Sequence, residues 1–258
     1  MNRDMLRQTI NVVALLATIV INALANILPI NGQTTGDISN KFPVYFVPAN
    51  YVFSIWSLIY LGLLAFVVYQ ALPGQRENPV LRRIGYAFAL SCVANSLWIF
   101  LWHYEYFVFT LLVMGLLLAS LVVVYVRVQQ ADLSVADRWF VQVPFSIYLA
   151  WTTVATIANA TVVLYNSAWN GLGVSAEIWT AIMLAVGTLL AALVTLSRRD
   201  VAYTAVIVWA FVGIAVKHAE VPVVVNAAVI ASFAAVVLLV VNVVRRRQVP
   251  QRMRVRVA

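Results

Sequence analysis

The amino-acid sequence predicts an all-α integral membrane protein with about eight transmembrane helices. Of its 258 residues, 64% are hydrophobic and only 10% are charged. A soluble globular domain averages about half apolar and about a quarter charged residues, so this chain has too few charges to coat a surface in water. Intrinsic disorder is excluded because it requires low hydrophobicity. The hydrophobicity is continuous rather than alternating, which favours helices over a transmembrane barrel.

Eight stretches of the chain are apolar enough to cross a bilayer. A membrane helix needs roughly 20 mostly apolar residues to cross about 30 Å of hydrocarbon. Polar breaks delimit the predicted spans at 8–30, 50–72, 84–102, 106–126, 141–164, 177–197, 201–216 and 221–244. The first span has some features of a signal peptide, with Arg3 and Arg7 before it and an A-x-A site at 23–25. Its long, asparagine-containing core predicts a retained helix instead.

The basic residues divide unequally between the connections. If the amino terminus is inside, 15 of the 17 Lys and Arg residues fall in inside segments, and only Lys41 and Lys217 fall outside. Lys and Arg near span ends favour the cytoplasmic side, so this asymmetry predicts that both termini are cytoplasmic. The arginines are dispersed over five segments, and we therefore expect no nucleic-acid partner. The basic tail at 245–258 is interpreted as a stop-transfer signal that could also attract anionic lipid.

Few side chains suited to catalysis or metal binding lie within the spans. None of the nine acids falls at a predicted mid-membrane position, which argues against a proton-coupled antiporter. One cysteine, Cys92, and two histidines are a poor supply for a structural zinc site. His103 and His218 lie in predicted loops beside charged residues, so we expect solvated histidines rather than haem ligands. No catalytic residue, metal ligand or resident cofactor is predicted, although a porphyrin or haem could be a ligand.

Tryptophan, tyrosine and asparagine recur on one face of two predicted helices. The two sets, at helical spacing, are Asn95, Trp98 and Trp102 in the third span and Tyr148, Trp151 and Asn159 in the fifth. A buried amide in lipid needs a partner, so these faces should point into the bundle. On spacing alone, polar packing between helices and a ligand pocket both stay open. Trp139, Trp169 and Trp179 are instead predicted to sit at the membrane interface.

Three short motifs in successive spans resemble those of one known family. The fifth span reads Y-L-A-W-T-T-V-A-T-I-A-N from Tyr148 to Asn159, and the third reads N-S-L-W from Asn95 to Trp98. The second span carries Pro48, Phe53, Trp56 and Tyr60 in the matching order. Together these motifs resemble the tryptophan-rich sensory protein (TspO/MBR) family, which includes the mitochondrial translocator protein.

The resemblance implies a five-helix bundle around an aromatic pocket. It covers about residues 8–166, so we divide the chain into a TspO/MBR-like five-helix membrane domain at 1–166, a three-helix membrane extension at 167–244 and the tail at 245–258. Carried over residue by residue, the implied ligand-binding residues are Trp56, Tyr60, Asn95, Trp98, Tyr148, Trp151 and Asn159. Flat conjugated ligands stack on indole rings, and amides can bond the polar edges of such ligands.

The implied function is a membrane receptor or carrier that binds porphyrin-like or sterol-like ligands for transport or sensing. Two alternatives stay open: a membrane enzyme that degrades tetrapyrroles, and a small-solute transporter that uses the three-helix extension. We expect the protein in the cytoplasmic membrane of a bacterium, in contact with lipids. The resemblance also implies that a homodimer is possible. No small-xxx-small motif in the sequence identifies a dimer face.

Overall fold

The computed structural model describes residues 3–247, and within that range it consists of α-helices joined by short turns and loops. The eight long helices are α1 (Arg3–Ile27), α2 (Ile55–Ala71), α3 (Ala87–His103), α4 (Phe107–Gln129), α5 (Val143–Asn166), α6 (Ala176–Arg198), α7 (Val201–Lys217) and α8 (Pro222–Arg247). Each of them coincides with one predicted span, with its ends displaced by a few residues. The part of the predicted basic tail beyond Arg247 lies outside the described residues.

The all-α membrane fold is confirmed by the length and composition of these helices. Among the described residues, six helical stretches are long and apolar enough to cross a membrane. The two other long helices, α3 and α7, are apolar and have 17 residues each. At about 1.5 Å per residue, such a helix covers about 25 Å, which is near the lower limit for a span.

Polar residues fix where several helices begin. Ser175 and Asp200 precede α6 and α7, and their side chains accept hydrogen bonds from the first free backbone N–H groups of each helix. Ser134 caps the helical segment that leads through a π-helical turn at Arg138–Gln142 into α5. Pro144 lies in the first turn of α5, where its missing N–H needs no partner.

The first five helices form a closed ring. Helix α1 contacts α2 and α3, α3 contacts α4, α4 contacts α5, and α5 returns to α2. The α2–α5 seam is tight because a Cβ on Gly62 would lie 3.3 Å from the Pro144 side chain. Edge contacts between Phe66, Phe88 and Phe145, with centroids 4.9–5.4 Å apart, fill the end of the ring nearest the amino terminus. The ring is therefore solid at that end.

The last three helices pack against one another and dock on the outside of the ring through α7. Helix α7 contacts α5 and the 3-10 turn Asn50–Ser54 that precedes α2. The Gly213 carbonyl accepts a hydrogen bond of 3.0 Å from the Ala49 N–H. A Cβ at Gly213 would lie 2.2 Å from Val52 Cγ2, so only glycine allows this approach.

Two acids in connections between predicted spans, Asp137 and Asp200, are buried at the end of the bundle nearest the amino terminus. Asp137 accepts hydrogen bonds from Tyr69 Oη and Asn78 Nδ2 at 3.0 and 2.9 Å. Asp200 accepts from Tyr125 Oη at 2.9 Å and from Ser146 Oγ at 2.5 Å. Buried carboxylates need such donors, and those of Asp200 tie the extension to α4 and α5.

Candidate functional site: a tryptophan-rich cavity inside the ring

A cavity of about 650 Å³ lies inside the five-helix ring, at the end away from the phenylalanine cluster. All five ring helices and the 34–54 connection between α1 and α2 contribute to its wall. Its volume lies within the range of about 300–1,000 Å³ that is typical of small-molecule sites. Its described lining includes no residue of the extension, so the ring and the 34–54 connection form its wall.

Six of the seven residues implied by the family motifs line this cavity. They are Trp56, Tyr60, Asn95, Trp98, Trp151 and Asn159. The seventh, Tyr148, is buried behind the wall, where its Oη accepts a hydrogen bond of 3.0 Å from Asn95 Nδ2. The ring of Trp56 packs against Tyr148 edge-on, with centroids 6.1 Å apart. Tyr148 therefore supports two wall residues and does not itself face the cavity.

The aromatic rings form two stacked pairs on different sides of the cavity. On α2, Trp56 stacks on Tyr60 at a centroid distance of 5.5 Å, and its edge meets Trp151 of α5 at 6.3 Å. On α3, Trp98 stacks on Trp102 at 5.1 Å with an interplanar angle of 18°. Such offset and edge-to-face arrangements are the favourable geometries for aromatic pairs.

The asparagines of the wall hold these rings and helices in place. Asn159 Oδ1 accepts a 2.8 Å hydrogen bond from Trp98 Nε1, and its Nδ2 donates to Thr110 Oγ1 at 2.9 Å. Asn95 Oδ1 accepts from Asn22 Nδ2 at 2.8 Å. The helical spacing left two roles open for these amides, polar packing between helices and a place in a pocket wall. In the structure the same amides bond neighbouring helices and lie in the cavity wall.

Three other polar atoms of the wall have no hydrogen-bond partner. Tyr60 Oη, Trp151 Nε1 and Thr152 Oγ1 are all buried, and all three residues line the cavity. A buried polar group without a partner costs about 1–3 kcal/mol. These three atoms have almost no accessible surface, so they are unpaired groups within the wall rather than atoms that face the open space.

Polar residues surround the opening of the cavity. The exposed members of its lining are Ala23, Asn26, Asp37, Asn40, Asn50 and Ser57. Hydrogen bonding by Thr34, through its hydroxyl and its backbone N–H, holds the pKa of the Asp37 carboxyl below its usual range. The opening thus carries amides and one negative charge, whereas the interior is aromatic.

The prediction that His103 is a solvated loop histidine is wrong. Its side chain is fully buried, with Nε2 3.0 Å from Thr35 Oγ1 and Nδ1 3.1 Å from the Ile30 carbonyl oxygen. The loop after α1 folds back over the end of α3, which removes this histidine from water. Nearby, Lys41 pairs with Glu105 at 2.5 Å, so the same loop is fastened at two points. His218 is half-buried and contacts Tyr45 through ring edges.

Several lining residues were not among the seven implied ligand-binding residues. Asn22, Phe53, Trp102 and Thr152 are examples. Asn22 carried a signal, since an amide within an apolar span needs an inward partner. Trp102 carried one too, because it shares a helix face with Asn95 and Trp98. Among the described residues, no three His, Cys, Asp or Glu side chains are grouped so as to hold a metal ion.

Comparison with known proteins gives a family match. A model of the TSPO-like protein family matches residues 8–243. No curated protein and no solved structure matches. The match runs through the five ring helices and through most of the extension. The division of the chain at residue 166 stays a prediction.

Proposed function

The chain belongs to the TSPO-like family of integral membrane proteins, and from this premise we propose that it binds a flat, hydrophobic, porphyrin-like ligand in the tryptophan-rich cavity, for transport or sensing. We place it in a bacterial cytoplasmic membrane with both termini cytoplasmic, as the arginine distribution predicts. A sterol-like ligand is the second candidate for the same cavity.

The observation that supports this proposal is the cavity of about 650 Å³ flanked by two stacked aromatic pairs. Trp56, Trp98 and Trp151 all line it. The faces of a conjugated macrocycle stack on such indoles, and the amides around the opening can bond its polar edge groups. A sterol presents no conjugated face, so the stacked pairs favour the planar ligand.

Neither alternative function gains a specific observation. Asp37, at the opening, is the only carboxylate in the described lining, which also holds no histidine or lysine for general acid–base catalysis. The extension contributes nothing to the described lining, so a solute route through it has no support from this cavity.

The proposal is tested by titrating the purified protein with protoporphyrin IX and following the absorbance of the porphyrin. We expect saturable binding, weakened about two- to ten-fold in Trp56→Phe and in Trp151→Phe, which corresponds to about 0.5–1.5 kcal/mol for an aromatic pair. Trp169→Phe is the matched control because Trp169 is exposed and lies outside the cavity.

The absence of saturable binding by well-folded wild-type protein would overturn the proposal, as would an equal loss in Trp169→Phe. Illumination of the complex in air separates binding from breakdown. An unchanged porphyrin spectrum supports a carrier or sensor, whereas new absorbance bands that require the protein favour the degrading enzyme.

A further inference from the structure

A second cavity lies where the extension docks on the ring. Its volume is about 830 Å³, and it is lined by the end of α4, the start of α5 and the connection between α6 and α7. It lies at the same end of the bundle as the amino terminus, because α4 and α6 end there and α5 and α7 begin there. We call it the junction cavity.

Three arginines line the junction cavity: Arg138, Arg198 and Arg199. Arg199 caps α6 in the left-handed conformation, with φ of 54°, where glycine is usually found. A non-glycine residue in this conformation costs roughly 1–2 kcal/mol. The fold thus holds a long cationic side chain at a position that glycine would fill with less strain.

Two carboxylates line the same cavity, and one of them is already engaged by protein donors. Asp200 accepts hydrogen bonds from Tyr125, from Ser146 and from the Tyr203 N–H. Asp132 is exposed on the rim. With three arginines against these two acids, the cavity keeps a net positive charge.

The remaining lining is suited to an amphiphile. Trp139 is 67% exposed, as expected of an indole at a membrane interface. Val143, Val201 and Ala205 supply apolar wall beside the arginines. Basic pockets between transmembrane helices are a known form of site for anionic lipid headgroups.

We propose that the junction cavity binds the phosphate headgroup of an anionic phospholipid. Arg138 and Arg198 take the phosphate oxygens, and the apolar wall with Trp139 takes the first part of the acyl chains. Because the site is shared by α4, α5 and the α6–α7 connection, a bound lipid fastens the extension to the ring. This site is separate from the tryptophan-rich cavity and does not depend on the ligand bound there.

The test uses the full-length protein in nanodiscs of phosphatidylcholine alone and of phosphatidylcholine mixed with phosphatidylglycerol. Thermal unfolding is measured in both, and retained phosphatidylglycerol is counted by native mass spectrometry. We expect phosphatidylglycerol to raise the Tm of the wild type and to be retained. Arg138→Gln and Arg198→Gln should each weaken retention about five-fold, the equivalent of about 1 kcal/mol per basic residue near an anionic surface.

Arg3→Gln is the matched control, because Arg3 is an exposed arginine at the same end of the bundle and outside the junction cavity. It should retain phosphatidylglycerol as the wild type does, and all variants should share one Tm in phosphatidylcholine alone. Equal losses in Arg3→Gln and Arg198→Gln would overturn the proposal in favour of general surface charge. An equal rise in Tm with inorganic phosphate in phosphatidylcholine alone would overturn the lipid and leave a soluble phosphate ligand.

Discussion

At the scale of single residues, the cavity wall divides into polar groups that are bonded and polar groups that are not. The side-chain amides of Asn95 and Asn159 are hydrogen-bonded to side chains of neighbouring helices. Tyr60 and Trp151 keep a polar atom without a partner. The first group therefore sets the shape of the cavity, and the second is left unpaired within the wall.

Asn159→Leu tests the structural half of this division. The change removes the acceptor of the Trp98 N–H and the donor to Thr110, and leaves both buried groups unpaired. We expect a loss of about 1–3 kcal/mol in the free energy of unfolding. Chemical denaturation in detergent measures it. Asn166→Leu, at the exposed end of α5, is the control and should change stability little; a comparable loss there would contradict the role of the Asn159 bonds.

Of the seven residues that the motifs imply, six lie in the cavity wall, and Tyr148 shows why the seventh does not. Helical spacing fixes the angle at which a side chain leaves its helix, and by angle Tyr148 shares a face with Asn159. It does not fix depth along the bundle. Tyr148 lies one turn before Trp151, nearer the end of the ring that is filled by the phenylalanine cluster around Phe145. There the ring of Trp56 packs against it. The sequence patterns thus predicted which side of each helix faces the interior of the ring, but not how far along the helix the cavity extends.

At the scale of helices, hydropathy predicted each span but not the partners of each span. Apolar stretches between polar breaks are enough to locate α1 to α8 because lipid demands internally bonded backbone. The order around the ring depends on close fits, such as Gly62 against Pro144 and Gly213 against Val52. Single glycines in an apolar span do not reveal which neighbour they admit, so this order could not be predicted.

Gly213→Ala tests the fit between α7 and the turn that lines the cavity. The new Cβ would meet Val52 Cγ2 at 2.2 Å, so α7 must move away from the ring. We expect a loss of about 1–3 kcal/mol, the usual cost of overpacking. Gly115→Ala is the same change in α4, where nothing lies within 4 Å, and should be neutral or stabilising by up to about 1 kcal/mol. Equal Tm values for the two variants would refute the close approach.

At the scale of the whole molecule, the arginine distribution predicts one orientation in the membrane. The native Cys92 is buried, so an introduced cysteine can be labelled without background from it. Ser167→Cys lies between α5 and α6 and is predicted outside, whereas Glu77→Cys lies between α2 and α3 and is predicted inside. A membrane-impermeant maleimide added to intact cells should label the first, and should label the second only after lysis. The reverse pattern would invert the topology.

The closed ring also bears on how the protein is made. Around the ring the order is α1, α2, α5, α4, α3, so the seam between α2 and α5 joins helices that two intervening spans separate in the chain. Because the chain is synthesised from its amino terminus, α2, with Trp56 and Tyr60, is made well before α5, with Trp151. During that interval the aromatic face of α2 meets lipid or the insertion machinery, and the cavity lacks the wall that α5 supplies. The cavity is complete only when the fifth helix is inserted, so any factor that delays that insertion delays formation of the proposed ligand site rather than membrane anchoring.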